Sequence, residues 1–116
     1  KWEKPQGIFN LYGKTVGFLG TGDIATETAK RLKAFGMKTL GMNTTGKQVE
    51  YFDKVYTVED FNELLSQCDF IVCTLPLTPR TKNLIGEEQF KCMKKDAYII
   101  NVARGAILTK QFYMII

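Results

Sequence analysis

Gly20, Gly22 and Ala25 stand at GxGxxA spacing between a short apolar run and an amphipathic one. A strand-to-helix turn of this kind presents backbone N–H groups at the positive end of a helix dipole with no bulky side chain in the way. Those are the donors that a dinucleotide's pyrophosphate requires. Gly20 permits the tight turn, Gly22 the close approach, and Ala25 close packing of helix on strand. A plain strand-to-helix turn that uses glycine for geometry alone is the other reading. The position of the three residues, after an expected strand and at the head of an expected helix, favours the phosphate reading.

A second constellation follows about 20 residues on, where an NAD-binding chain places an Asp or Glu against the adenine ribose. The residue here is Asn43, followed by Thr44, Thr45 and Lys47, with no carboxylate before Glu50. A ribose 2′-phosphate would meet hydroxyls and a cation rather than repulsion. The pattern therefore favours NADP over NAD, unless Lys47 only solvates a surface turn. A nucleoside-cofactor methyltransferase shares the glycine turn but calls for an acidic residue at position 43.

The composition narrows the chemistry further. Among 116 residues there is no histidine, so these residues supply neither an imidazole acid/base nor a His metal site, and no metal is expected. Cys68, Cys73 and Cys92 form no CxxC pair and lie in or beside apolar stretches, which suits reduced core thiols. The net charge of +4 comes from scattered lysines, without a basic face or aromatic platform for nucleic acid. With 45% apolar and 24% charged residues and no bilayer-length apolar run, a soluble cytoplasmic domain is expected, with no membrane partner. The first residues, from Lys1 to Pro5, lack a signal-peptide core.

The elements that must position these residues alternate between extended and amphipathic segments, the pattern of an α/β domain with a parallel sheet. Strands are expected at Thr15 to Leu19, Met37 to Met42, Lys54 to Tyr56, Phe70 to Leu75 and Ala97 to Val102. The helix after the glycine turn should bury Ile24, Thr28, Leu32 and Phe35 and stop at Gly36. Thr57 to Asp60 has the form of a capping box for a helix to Gln67 that buries Val58, Phe61, Leu64 and Leu65. Pro76 to Thr81 holds two prolines and reads as a loop. A short helix opens at Gly86 with Glu87 and Glu88 and ends near Met93.

Three further strings add a family resemblance: Leu75-Pro76-Leu77-Thr78-Pro79-Arg80-Thr81, Asn83-Leu84-Ile85-Gly86, and Asn101-Val102-Ala103-Arg104-Gly105. With Gly20 to Ile24 they make the chain resemble the cofactor domain of the D-isomer-specific 2-hydroxyacid dehydrogenases, over about residues 11–108. The resemblance implies a Rossmann-type doubly wound parallel sheet, with residues 1–116 as the NAD(P)-binding domain and the substrate domain absent. It places Asp23 and Ile24 over the pyrophosphate and Asn43 at the adenine ribose. Leu75 and Pro76 would lie along the adenosine, Thr81 against the cofactor, and Val102 and Ala103 beside the nicotinamide.

Arg104 matches the family's catalytic arginine, whose planar fork binds the carboxylate and keto oxygen of a small 2-hydroxy or 2-oxo acid. The family's histidine and its glutamate partner follow that point, and neither is matched here. The apolar tail, Phe112 to Ile116, stands where an amphipathic helix is expected. The chain is accordingly expected to be a truncated or frame-disrupted product, or an excised domain with an incidental tail. It should be inactive alone and should self-associate or form a homo-oligomer. A non-catalytic module that binds dinucleotide or a partner is the alternative.

Overall fold

Short, β-branched and aromatic runs form the strands, and their side chains alternate between two separately packed faces. A computed structural model describes residues 11–74 and 85–101. The elements in order are β1 (Thr15–Leu19), α1 (Asp23–Ala34), β2 (Lys38–Met42), β3 (Lys54–Tyr56), a 3₁₀ turn (Val58–Asp60), α2 (Phe61–Gln67), β4 (Phe70–Cys73), α3 (Glu87–Cys92) and β5 (Tyr98–Asn101). All strand pairs are parallel, in the order β3-β2-β1-β4-β5. Leu19 is in register with Met42 on one side and Cys73 on the other.

The chain therefore winds outward from β1 to β3, returns to the centre, and winds outward again through β4 and β5. That reversal makes the ends of β1 and β4 a topological switch point, the place where open α/β sheets take ligands. Leu19, Leu40, Met42, Ile71, Cys73 and Ile99 face α2, from which Phe61, Leu64 and Leu65 complete one core. Val16, Phe18 and Val72 face the other way and pack with Ala25 and Ala29 of α1 and with Phe52. The arrangement is a Rossmann-type doubly wound sheet of five strands.

Two local expectations are corrected. The buried stripe of α1 is Ala25 and Ala29 with Leu32 packed beside them, while Ile24 is 69% and Phe35 56% exposed. The helical period holds but its phase is shifted by one residue, because small alanines let the helix lie close to β1 and β2. The capping box at Thr57 does not form. Its residues make a 3₁₀ turn in which the Asp60 N–H donates to the Thr57 carbonyl at 3.1 Å, no side chain caps it, and Val58 is exposed.

Other expectations hold. Gly36 ends α1 at φ +84°, where its own N–H and that of Met37 close the last turn on Lys33 and Leu32. The strand and helix bounds agree within a residue or two, except that α2 starts only at Phe61 and that Leu75 and Val102 lie outside the described residues. Cys68 and Cys73 are buried and Cys92 is half-buried.

Candidate dinucleotide site

The turn from β1 into α1 is built from backbone held on two sides. The Gly20 N–H donates to the Met42 carbonyl at 2.9 Å, tying the turn to the end of β2. Gly20 has φ +113°, a conformation closed to residues with a Cβ. On the other side, the Thr74 hydroxyl and N–H both donate to the Leu19 carbonyl, at 3.0 and 3.1 Å, so the chain leaving β4 is fastened where β1 ends.

Gly22 is the N-cap of α1. Among the described residues no side chain caps the helix, and nothing lies within 4 Å of where a Cβ on Gly22 would stand. The first-turn N–H groups of a twelve-residue helix thus face an open approach, with the dipole favouring an anion there. Ala25 is fully buried, as close packing of α1 requires. Asp23 and Ile24 are exposed at the head of α1. The Asp23 carboxylate partly offsets the positive end of the dipole, and Ile24 offers an apolar surface beside the turn. These features fit a pyrophosphate.

Asn43 stands directly beyond β2. Its N–H donates to the Tyr56 carbonyl at 3.0 Å. Its side chain is engaged at both ends, to Thr21 Oγ1 and the Lys47 carbonyl through Nδ2 and to the Gly46 N–H through Oδ1. Thr44, Thr45 and Lys47 are exposed on the loop that this asparagine organises. Thr21 was not singled out by its sequence, and a threonine between two glycines carries no signal that its hydroxyl meets a residue 22 positions away.

The structure therefore brings together Gly20, Gly22, Asp23, Ile24, Asn43, Thr44 and Lys47 at one end of the sheet. Leu75, Pro76, Thr81, Val102, Ala103 and Arg104 lie outside the described residues. β4 and β5 both run toward that same end, since each is parallel to β1 or to its neighbour. Among the described residues no group of three or more Cys, Asp or Glu side chains is placed to hold a metal. None of the described helices is long and apolar enough to cross a membrane.

Comparison with known proteins agrees with the geometry. The family described as D-isomer specific 2-hydroxyacid dehydrogenase, NAD binding domain, matches residues 1–112. D-3-phosphoglycerate dehydrogenase of Methanocaldococcus jannaschii is 43% identical over 114 residues, covering 96% of this chain and 22% of that protein. The NAD-complexed D-isomer specific 2-hydroxyacid dehydrogenase of Lactobacillus delbrueckii ssp. bulgaricus superposes with a TM-score of 0.72 at 36% identity, over 88% of this chain and 30% of that one. An NADPH-dependent glyoxylate/hydroxypyruvate reductase of Sinorhizobium meliloti, in complex with NADP and sulfate, gives 0.75 at 28% identity, over 83% and 32%.

The chain thus spans between a fifth and a third of the length of these relatives. Its sheet order, its glycine turn at the switch point and the match across nearly all its residues place it in one family: the chain belongs to the D-isomer specific 2-hydroxyacid dehydrogenases, as their NAD-binding domain.

Proposed function

We propose that this chain binds NADP or NAD for an oxidoreductase that transfers hydride between the nicotinamide and a small 2-hydroxy or 2-oxo acid. The observation that carries the reading is the uncapped head of α1 at Gly22, open at the β1–β4 switch point. Gly20, Gly22, Asp23 and Ile24 would hold the pyrophosphate, and the loop of Asn43, Thr44 and Lys47 the adenine ribose. Leu75, Pro76 and Thr81 would line the adenosine side, and Val102 and Ala103 the nicotinamide. The bound nicotinamide would supply the hydride. Arg104 would bind the substrate carboxylate and stabilise the charge on its 2-oxygen.

The domain core is assigned to about residues 11–108, in a cytoplasmic protein that self-associates. With no histidine among these residues, they supply no imidazole to give that oxygen its proton. That observation favours a second reading for the isolated polypeptide, as a binder of dinucleotide without turnover.

NADPH is the favoured cofactor, because no carboxylate follows β2 before Glu50 and Lys47 is exposed beside the loop. Calorimetric titration of the 116-residue chain with NADPH and NADH tests this. NADPH should bind more tightly, by a margin that shrinks as added salt screens the lysine. A preference for NADH of about tenfold, equivalent to about 1.4 kcal/mol, would reverse the assignment.

A further inference from the structure

The Asn43 side chain is nearly used up inside the protein. An asparagine amide offers two donor hydrogens and one oxygen with two lone pairs. Nδ2 donates to Thr21 Oγ1 at 3.1 Å and to the Lys47 carbonyl at 3.1 Å, while Oδ1 accepts the Gly46 N–H at 2.6 Å. Both donors are therefore committed, and one lone pair is left. Thr21, the partner across 22 residues, lies between the two glycines of the phosphate turn. Its carbonyl accepts the Thr26 hydroxyl at 3.2 Å, which ties it to the first turn of α1.

Gly41 in β2 makes this arrangement possible. A Cβ there would come within 2.9 Å of both the Phe52 ring and the Thr21 methyl, so neither could keep its place against β2. The turn and the ribose loop are thus fastened to each other by one bond between side chains, on top of the Gly20 to Met42 backbone bond.

We infer that Asn43 is a positioning residue, which sets the ribose loop against the phosphate turn through Thr21 and leaves the reading of the ribose 2′-substituent to the exposed Thr44, Thr45 and Lys47. The inference rests on the dinucleotide-binding reading above. An aspartate at 43 would lack both donor hydrogens, so it would do more than add a ribose acceptor. It would release Thr21 and set a carboxylate against the Lys47 carbonyl.

The test uses Thr21→Val, which keeps the shape of the side chain and removes the acceptor, and Thr21→Ser, which keeps the acceptor. Calorimetry with NADPH and NADH should show Thr21→Val weakening both by about three- to tenfold, the size of one hydrogen bond, with their ratio unchanged. Thr21→Ser should restore binding, and Lys47→Ala should change the ratio. In an Asn43→Ala background Thr21→Val should cost nothing further, since the shared bond is already gone. In the unliganded chain the amide resonances of Gly46 and Lys47 should move in Thr21→Val and stay in Thr21→Ser.

Additive costs in the double variant, or unmoved Gly46 and Lys47 resonances, would overturn the inference while leaving the dinucleotide reading intact. A wild-type chain that binds neither nucleotide would overturn that reading, and this inference with it.

Discussion

The carboxylate of Asp69 accepts the backbone N–H of Thr15, 54 residues earlier, at 2.9 Å. Its other oxygen accepts Lys94 Nζ at 3.1 Å, so one side chain joins the starts of β1 and β4 to the segment leading into β5. Asp53 does the same one strand over, accepting the Thr39 N–H at 2.8 Å and Lys33 Nζ at 2.8 Å. Both aspartates close the end of the sheet opposite the glycine turn. There a cleft of about 310 Å³ is lined by Lys14, Asp69, Phe70, Lys94, Lys95, Asp96 and Tyr98.

Acid should therefore loosen the fold from that end. Burial opposes ionisation of Asp69, but the Thr15 N–H and the bond and charge of Lys94 outweigh it and hold its carboxyl below the usual value of 3.8. At Asp53 burial is likewise outweighed, by Lys33 and then by the Thr39 N–H. A carboxylate with a depressed folded-state pKa adds stability that is present above its unfolded value and lost as pH falls through the folded one. Urea unfolding should show stability flat near neutrality and falling below about pH 4. Asp69→Asn should reduce that fall and cost about 1 kcal/mol at pH 7.

Gly17 should tolerate no side chain. A Cβ there would lie 2.4 Å from Cys68 Sγ and 3.1 Å from Leu64 Cδ2, in the core between β1 and α2. Gly17→Ala should destabilise by about 1–3 kcal/mol. Cys68→Ala in the same chain should recover part of the loss, as a contact shared by two residues requires. Denaturant unfolding of the two single variants and the double variant measures the coupling.

The same burial should protect the Cys68 thiol. Removal from water, and after it the charge of Asp69, pushes its pKa up to about 12, and Sγ donates to the Leu64 carbonyl at 3.1 Å. Thiolate, not thiol, is the reactive form. Native labelling with a thiol reagent at pH 8 should reach half-buried Cys92 first and leave Cys68 untouched until the protein is unfolded. Mass spectrometry of the labelled peptides reads the order directly.

Turnover by the 116-residue chain should be undetectable with pyruvate, glyoxylate or hydroxypyruvate. Arg104 can bind a carboxylate, but its guanidinium stays protonated near neutrality and cannot serve as the acid. General acid–base catalysis typically contributes about 10²–10⁴-fold. Steady-state assays beside sedimentation of the same sample check this together with the proposed self-association.

Much of this architecture was legible in the sequence because strands and phosphate turns write locally. Phe70 to Cys73 is apolar on both faces, as a central parallel strand must be, and Gly20, at φ +113°, marks a turn that few other residues could make. The phase of α1 was harder to read. Ile24 and Phe35 are the larger apolar residues, but Ala25 and Ala29 are the ones the sheet can accommodate, and helix-to-sheet distance is a tertiary property. The 3₁₀ turn at Val58 was hidden for a related reason, since Phe61, three residues on, sets where α2 enters the core. The engagement of Asn43 by Thr21 depends on two strands lying side by side and has no local signature.

Binding of dinucleotide through the Gly22 turn is tested most directly by titrating wild type and Gly22→Val with NADPH, each beside its thermal unfolding curve. Gly22 has ordinary φ of −77° and, among the described residues, no neighbour within 4 Å of a Cβ, so valine should fit the fold at a cost of about 1 kcal/mol for a poorer N-cap. If the proposed phosphate site is right, its methyls would stand in the path of the pyrophosphate, and affinity should fall by more than about tenfold. Equal affinity in the two proteins, with both folded, would contradict the assignment of this turn as the phosphate site.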